Sequence, residues 1–174
     1  MDKSNLSQIK LLVLDVDGVL TDGTLVINGD GSESKCFNTL DGHGIRLWRR
    51  AGLKVAFLSG RLSTPTALRA EQLEVDHCIQ DAHHKLPAIE QLLEQLNIPA
   101  EQVAFVGDDL PDIPVIRHVG FGVAVENAVD QVKEAADYIT TRTGGRGAVR
   151  ETIEYILKNS GRWQQVVERY GIET

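Results

Sequence analysis

Asp15 and Asp17 stand two residues apart, directly after the apolar run Leu11-Leu12-Val13-Leu14, and Gly18 and Thr21-Asp22-Gly23 follow them. A carboxylate can attack phosphorus at neutral pH without help from a base, and Asp15 suits that role. A second acid can protonate the leaving alkoxide and then take a proton from the attacking water, which suits Asp17. Three further polar positions share this context, each just past an apolar run or at a helix start: Ser59, Lys85 and the pair Asp108-Asp109. Ser59 can donate to a phosphoryl oxygen. Lys85 offers a compact positive charge to balance the acids and the phosphoryl oxygens. A divalent cation with hard oxygen ligands suits Asp15, a backbone carbonyl near Asp17, and Asp108. Magnesium keeps some of its waters and shares phosphate oxygens, so few protein carboxylates suffice. Singly, each position is an ordinary surface polar group. As a set they point to magnesium-assisted phosphoryl transfer.

These groups need a scaffold that delivers them to one place. Lys10 to Leu14, Val55 to Leu58 and Val103 to Val106 are apolar runs of strand length. Such runs suit strands covered on both faces, as in a parallel sheet. Polar residues directly after them lie at the carboxyl ends, where open α/β sheets bind ligands. Further strands are expected at His77 to Ile79, Phe121 to Val125 and Tyr138-Ile139. Helices are expected at Ile45 to Arg50, Leu110 to His118 and Val129 to Ala135. Ser63-Thr64-Pro65 opens another, with a hydroxyl cap and a first-turn proline. Lys85 opens an amphipathic helix with Leu86, Ile89, Leu92, Leu93 and Leu96 at helical spacing. Val149, Ile153, Ile156 and Leu157 mark the last long helix, and the tail from Gly161 to Thr174 reads as a looser one. The alternation predicts an α/β fold with a doubly wound parallel sheet.

Thr24 to Ile27 and Lys35 to Asn38 flank Asn28-Gly29-Asp30-Gly31, a hairpin signal. The intervals Asp17 to Ser59 and Ser59 to Lys85 are too short for an inserted cap domain. A single domain over 1–174 is therefore expected, capless, with the hairpin as a flap after the first strand.

The net charge of −7 argues against a nucleic-acid or anionic-membrane footprint. An anionic substrate must then be held by local cations or a metal. Cys36 and Cys78 read as reduced thiols of a cytoplasmic protein. No apolar run approaches the roughly 20 residues of a membrane span. His83-His84 is not read as a zinc site, because adjacent side chains point apart and no third ligand is evident.

Asp15-Val16-Asp17-Gly18-Val19-Leu20-Thr21, Ser59-Gly60-Arg61, Lys85 and Gly107-Asp108-Asp109-Leu110-Pro111-Asp112 resemble the four motifs of the haloacid dehalogenase superfamily. The resemblance implies a nucleophile at Asp15, acid/base at Asp17, and phosphate binding at Ser59 and Lys85. It implies magnesium at Asp15, Asp17 (backbone) and Asp108, with Asp112 orienting metal waters. The hairpin, Asp41-Gly42-x-Gly44-Ile45-Arg46 and Gly144 to Glu151 resemble the subgroup of 3-deoxy-D-manno-octulosonate 8-phosphate phosphatases. There, residues matching Asp17, Asn38, Thr39, Leu40, Asp41, Gly42, Arg46, Arg61, Arg69 and Lys85 line the substrate site. Arginines suit a sugar acid, whose carboxylate a guanidinium grips bidentately, and Arg146 could meet that carboxylate or a sugar hydroxyl.

Two positions depart from many relatives, which have arginine at Leu40 and an aromatic or aliphatic residue at His43. A related subgroup acting on nine-carbon sialic-acid-type phosphates has glutamate at Arg146, so Arg146 favours the eight-carbon sugar. The subgroup forms homotetramers in which a neighbour's hairpin and tail help close each site, and it serves lipopolysaccharide biosynthesis. Competing readings are a nine-carbon sugar phosphatase, an idle assembly domain of a sugar-nucleotide synthetase, and a receiver-like phosphoacceptor. A receiver has no need of Asp17, and an idle domain has no need of the complete acid set.

Overall fold

The computed structural model describes residues 3–172. A 3-10 helix over Lys3–Gln8 leads into strand β1 (Leu11–Leu14), whose four side chains are all buried. A two-stranded antiparallel hairpin follows, β2 (Val26–Ile27) and β3 (Glu33–Ser34). The alternation then runs α1 (Thr39–Arg50), β4 (Lys54–Leu58), α2 (Thr64–Gln72), β5 (His77–Ile79) and α3 (Lys85–Leu96). It continues with β6 (Val103–Gly107), α4 (Ile113–His118), β7 (Phe121–Ala124), α5 (Asp130–Ala135), β8 (Tyr138–Ile139), α6 (Ala148–Asn159) and α7 (Trp163–Val167).

Six strands form one parallel sheet in the order β5-β4-β1-β6-β7-β8. The chain winds outward from β1 to β5, then returns to β6 and winds the other way. Right-handed crossovers in opposite directions place their helices on opposite faces. Accordingly α1 packs against α6, while α3, α4 and α5 pack in series. The strand order reverses between β1 and β6, and the crevice at such a switch point is where this fold class takes ligands. The doubly wound parallel sheet expected from the sequence is the sheet observed.

Several local expectations differ. Helix α1 contains the expected Ile45 to Arg50 and begins earlier, at Thr39, because Asn38 Oδ1 accepts from Leu40 N at 2.8 Å and caps it. Gly44 in its first turns lets α6 come close: a β-carbon there would lie 3.1 Å from the Arg150 side chain. Ser63 stands at the N-cap of α2 but makes no capping bond; its hydroxyl donates to Glu33 Oε1 instead. The hairpin ladder is shorter and shifted, with Glu33–Ser34 pairing in place of Lys35 to Asn38. After Ser34 the chain leaves the ladder, because Lys35 turns inward and Asn38 is committed to α1. The segment expected as one helix over Leu110 to His118 opens with a 3-10 turn, Leu110–Asp112, capped reciprocally by Asp109 and Asp112. In the tail, α7 and a 3-10 turn over Glu168–Tyr170 bury Val166 and Val167. Residues 173–174 of that expected helix lie outside the described residues.

Candidate active site

Register explains the convergence. Leu14 pairs with Phe57 of β4 on one side and with Val106 of β6 on the other. The residues just past these three strands therefore crowd together at their carboxyl ends. Asp15, Asp17, Ser59, Arg61, Lys85 and Asp108 line one cavity of about 320 Å³ there. Asp15 N donates to Val106 O at 3.0 Å, so the backbone of Asp15 still belongs to the sheet.

Lys85, the first residue of α3, is buried, and its ammonium lies 2.8 Å from Asp15 Oδ1 and 2.6 Å from Asp112 Oδ1. The other Asp112 oxygen accepts from the backbone N–H groups of Asp108 and Asp109, at 2.9 and 3.2 Å. Asp112 thus ties the lysine to the loop after β6. Burial works against the Lys85 charge, but the carboxylates of Asp15 and Asp112 outweigh it and hold the ammonium above its ordinary pKa.

Asp15, Asp108 and Asp112 each bring a carboxylate oxygen within 4.8 Å of the others. Burial, then the Asp112 charge, pushes the Asp15 carboxyl up to about 6. Burial, then the charges of Asp15 and Asp112, pushes Asp108 up to about 8. Asp108 Oδ1 is buried with no hydrogen-bond partner. Crowded acids and an orphaned carboxylate oxygen suit a hard divalent cation. Both oxygens of Asp112 are already engaged, by Lys85 and by two amides, so Asp15 and Asp108 are the side chains better fit to hold a metal. Gly18 makes the close approach feasible: with φ +89°, it passes where a β-carbon would fall 2.0 Å from Asp108 Oδ2.

Ser59 is buried, and its Oγ accepts from Arg61 N and donates to Arg61 O, both at 3.2 Å. Asp17 is partly buried and bonded by Lys35 Nζ at 2.5 Å.

The remaining sequence-derived substrate residues lie outside this cavity in the single chain. Asn38 Nδ2 donates to Gly145 O at 3.2 Å, and Arg69 Nη2 donates to Asn38 O at 3.4 Å beside Gly42. Thr39 and Leu40 are exposed. The Asp41 carboxylate is not free for a ligand, because it accepts from Gly147 N and Arg150 N and caps the start of α6. Burial holds it above the ordinary carboxylate value despite those bonds. Arg46 is exposed and lines a separate cavity of about 680 Å³ with Arg49, Arg50 and Lys54. Arg146 is 71% exposed, 3.7 Å from Asp22.

Residues 77–153 match the family model of haloacid dehalogenase-like hydrolases. The 3-deoxy-D-manno-octulosonate 8-phosphate phosphatase of Escherichia coli K12 is 45% identical over 154 residues, which is 88% of this chain and 82% of the relative. The chain belongs to the 3-deoxy-D-manno-octulosonate 8-phosphate phosphatase family of haloacid dehalogenase-like hydrolases. The crystal structure of the Moraxella catarrhalis 3-deoxy-D-manno-octulosonate 8-phosphate phosphatase, in complex with magnesium ion, phosphate ion and KDO, superposes with a TM-score of 0.94 at 39% identity, covering 97% of both chains. A probable YrbI family phosphatase from Pseudomonas syringae superposes with a TM-score of 0.95 at 46% identity, covering 99% of this chain and 98% of that one.

Within this phosphatase family fold, two polar residues at the site escaped the sequence reading: Glu33 and Lys35. Glu33 bonds Arg61 Nη2 at 2.7 Å and the Ser63 hydroxyl. Alternate residues of an extended segment face the same way, so the spacing of Glu33 and Lys35 held the signal.

Proposed function

We propose that this chain is a magnesium-dependent phosphatase that hydrolyses 3-deoxy-D-manno-octulosonate 8-phosphate through an aspartyl-phosphate on Asp15. The observation that carries the reading is the meeting of Asp15, Asp17, Ser59, Lys85 and Asp108 around one cavity at the sheet's switch point. In the first step an Asp15 carboxylate oxygen attacks phosphorus, the phosphorus–oxygen ester bond breaks, and Asp17 gives its proton to the departing sugar oxygen. In the second step Asp17 takes a proton from water as that water attacks the same phosphorus, releasing inorganic phosphate and restoring Asp15. Ser59 and Lys85 hold the phosphoryl oxygens throughout, and Lys85 offsets their charge. Asp15, Asp108 and the Asp17 carbonyl would hold magnesium, which supplies Lewis-acid stabilisation of the phosphoryl oxygens.

Substrate recognition is read onto Arg61 at the cavity and onto Asn38, Thr39, Leu40, Gly42, Arg46, Arg69 and Arg146 around it, with Asp41 holding the start of α6 in place behind them. A homotetramer would let copies complete each other's sites. The support is that Arg46 and Arg69 lie off their own chain's cavity, while Leu25, Val26 and Ile27 on the hairpin are 44–64% exposed. Exposed apolar strands call for a covering surface. Sedimentation of wild type and of Ile27→Lys tests this: a tetramer that the substitution splits supports it, and a wild-type monomer sinks it. No described helix is long and apolar enough to cross a membrane, and a cytoplasmic location is part of the proposal.

The function is tested by phosphate release from a panel of sugar and sugar-acid phosphates, with and without magnesium. Selective, magnesium-dependent release from the eight-carbon sugar acid supports it. Preference for a nine-carbon sugar-acid phosphate, or no release from any member, overturns it.

A further inference from the structure

The hairpin is mostly exposed, yet the side chain of Lys35 on it is fully buried. Burying an ammonium is costly unless it is paired, and a hairpin lysine would otherwise sit in water. Its Nζ lies 2.5 Å from Asp17 Oδ1 and 3.7 Å from Glu33 Oε1. Among the described residues, Lys35 is the one hydrogen-bond partner of the Asp17 carboxylate. The other buried cation of the site, Lys85, serves Asp15 and Asp112. Each of the two reacting carboxylates therefore has its own lysine, one from the sheet scaffold and one from the flap.

Glu33 fixes the flap in place. Its carboxylate reaches Arg61 at 2.7 Å and the Ser63 hydroxyl, on the loop between β4 and α2. The hairpin thus docks on its own chain's site through one acidic and one basic side chain, each meeting its opposite.

We propose that Lys35 is the positioning residue for the acid/base Asp17, so that proton delivery to the leaving oxygen depends on the flap being docked. This rests on the phosphatase reading above. Lys35 holds Asp17 Oδ1, which fixes the plane of the carboxyl group and leaves Oδ2 as the oxygen that carries the proton and gives it to the leaving oxygen. Released, the carboxyl group samples rotamers that miss the leaving oxygen, and general-acid efficiency depends on that reach.

The consequence is specific to the leaving group. A sugar alkoxide needs a proton as it departs, whereas para-nitrophenolate leaves as a stable anion. The specificity constant kcat/KM covers only the steps through departure of the leaving group, so the later hydrolysis of the aspartyl-phosphate does not blur it. The experiment compares wild type, Lys35→Met, Lys35→Arg and Glu33→Gln on the sugar-acid phosphate and on para-nitrophenyl phosphate, with magnesium. Lys35→Met is expected to lower kcat/KM roughly tenfold or more further on the sugar-acid phosphate than on the aryl phosphate, through kcat rather than KM. Lys35→Arg should recover most of that difference. Glu33→Gln, which loosens the flap's tie to Arg61 and Ser63, should shift the ratio of leaving groups in the same direction as Lys35→Met but by less. If thermal melting shows that Lys35→Met is unfolded, Lys35→Gln reads the same ratio with a polar side chain. An equal loss on both substrates, a loss confined to KM, or no loss overturns the proposal. The wild type is the separate control: absence of magnesium-dependent release from the sugar-acid phosphate by wild type overturns the underlying function instead.

Discussion

Lys85 Nζ donates to Asp112 Oδ1 at 2.6 Å, joining the first residue of α3 to a carboxylate buried beneath the end of β6. The bond does more than neutralise two charges. The second Asp112 oxygen accepts from the amides of Asp108 and Asp109, so the lysine's position and the shape of the loop after β6 are set by one side chain. Removing one partner from a buried ionic group is far more damaging than the group's net contribution to stability suggests.

Lys85→Met therefore leaves Asp15, Asp108 and Asp112 facing one another without their cation. The variant should lose about 3–5 kcal/mol of stability and at least about a hundredfold in kcat. Magnesium becomes the remaining counter-charge, so it should raise the Tm of Lys85→Met more than that of wild type. Denaturant unfolding and thermal melts with and without the ion check both statements.

The sites that sequence made legible share one property: their meaning is local. The apolar runs before Asp15, Ser59 and Asp108 mark strands, and the residue after a buried strand in a parallel sheet lies at its carboxyl end. Lys85 at the head of a strongly periodic helix was equally plain. What escaped depended on contacts across the chain. Gly42 and Gly44 are where Arg69 and Arg150 pack closely on α1, which no local pattern announces. Ser63 looked like a cap until the hairpin supplied Glu33 as a better acceptor. Lys35 is 18 residues from Asp17, and its burial depends on the angle at which a short hairpin folds back. Arg46 and Arg146 carry the right charge for a sugar acid, yet charge alone does not say which surface a helix or loop will present.

Stability should depend on pH and magnesium together. Burial and neighbouring carboxylates raise the Asp15 carboxyl to about 6 and the Asp108 carboxyl to about 8, from an ordinary 3.8. Between the ordinary and raised values the folded protein binds more protons than the unfolded chain. Magnesium-free protein should then lose stability as pH rises from about 4 to about 8. The metal replaces those protons, so its stabilising effect should be larger near pH 8 than near pH 5. Melting curves in chelator and in magnesium across that window test the sign. A magnesium increment that shrinks with rising pH contradicts it.

Gly18→Ala should be harmful out of proportion to its size. The added carbon would fall 2.0 Å from Asp108 Oδ2, at a φ of +89° that side chains avoid. Strain of about 1–3 kcal/mol is expected, with magnesium affinity reduced roughly ten- to a hundredfold as Asp108 is displaced. Titration calorimetry with magnesium measures the second effect; unchanged affinity would remove Asp108 from the metal site.

Arg146→Glu separates recognition from chemistry. The side chain is largely exposed, so stability should move by no more than about 0.5 kcal/mol. The specificity constant for the sugar-acid phosphate should fall roughly tenfold, since a guanidinium–carboxylate pair becomes a repulsion. Hydrolysis of para-nitrophenyl phosphate, which has no carboxylate, should hardly change. Equal effects on the two substrates would place Arg146 outside the recognition surface.

The covalent step admits the most direct measurement. Enzyme turning over the sugar-acid phosphate in magnesium is quenched in acid, reduced with borohydride and mapped by peptide mass. An acyl phosphate is reduced to an alcohol, so the account predicts homoserine at position 15 in wild type. Asp15→Asn should show neither homoserine nor phosphate release while melting as a folded protein. Undiminished turnover with no homoserine at Asp15, or with homoserine at Asp17 or Asp108 instead, would contradict it.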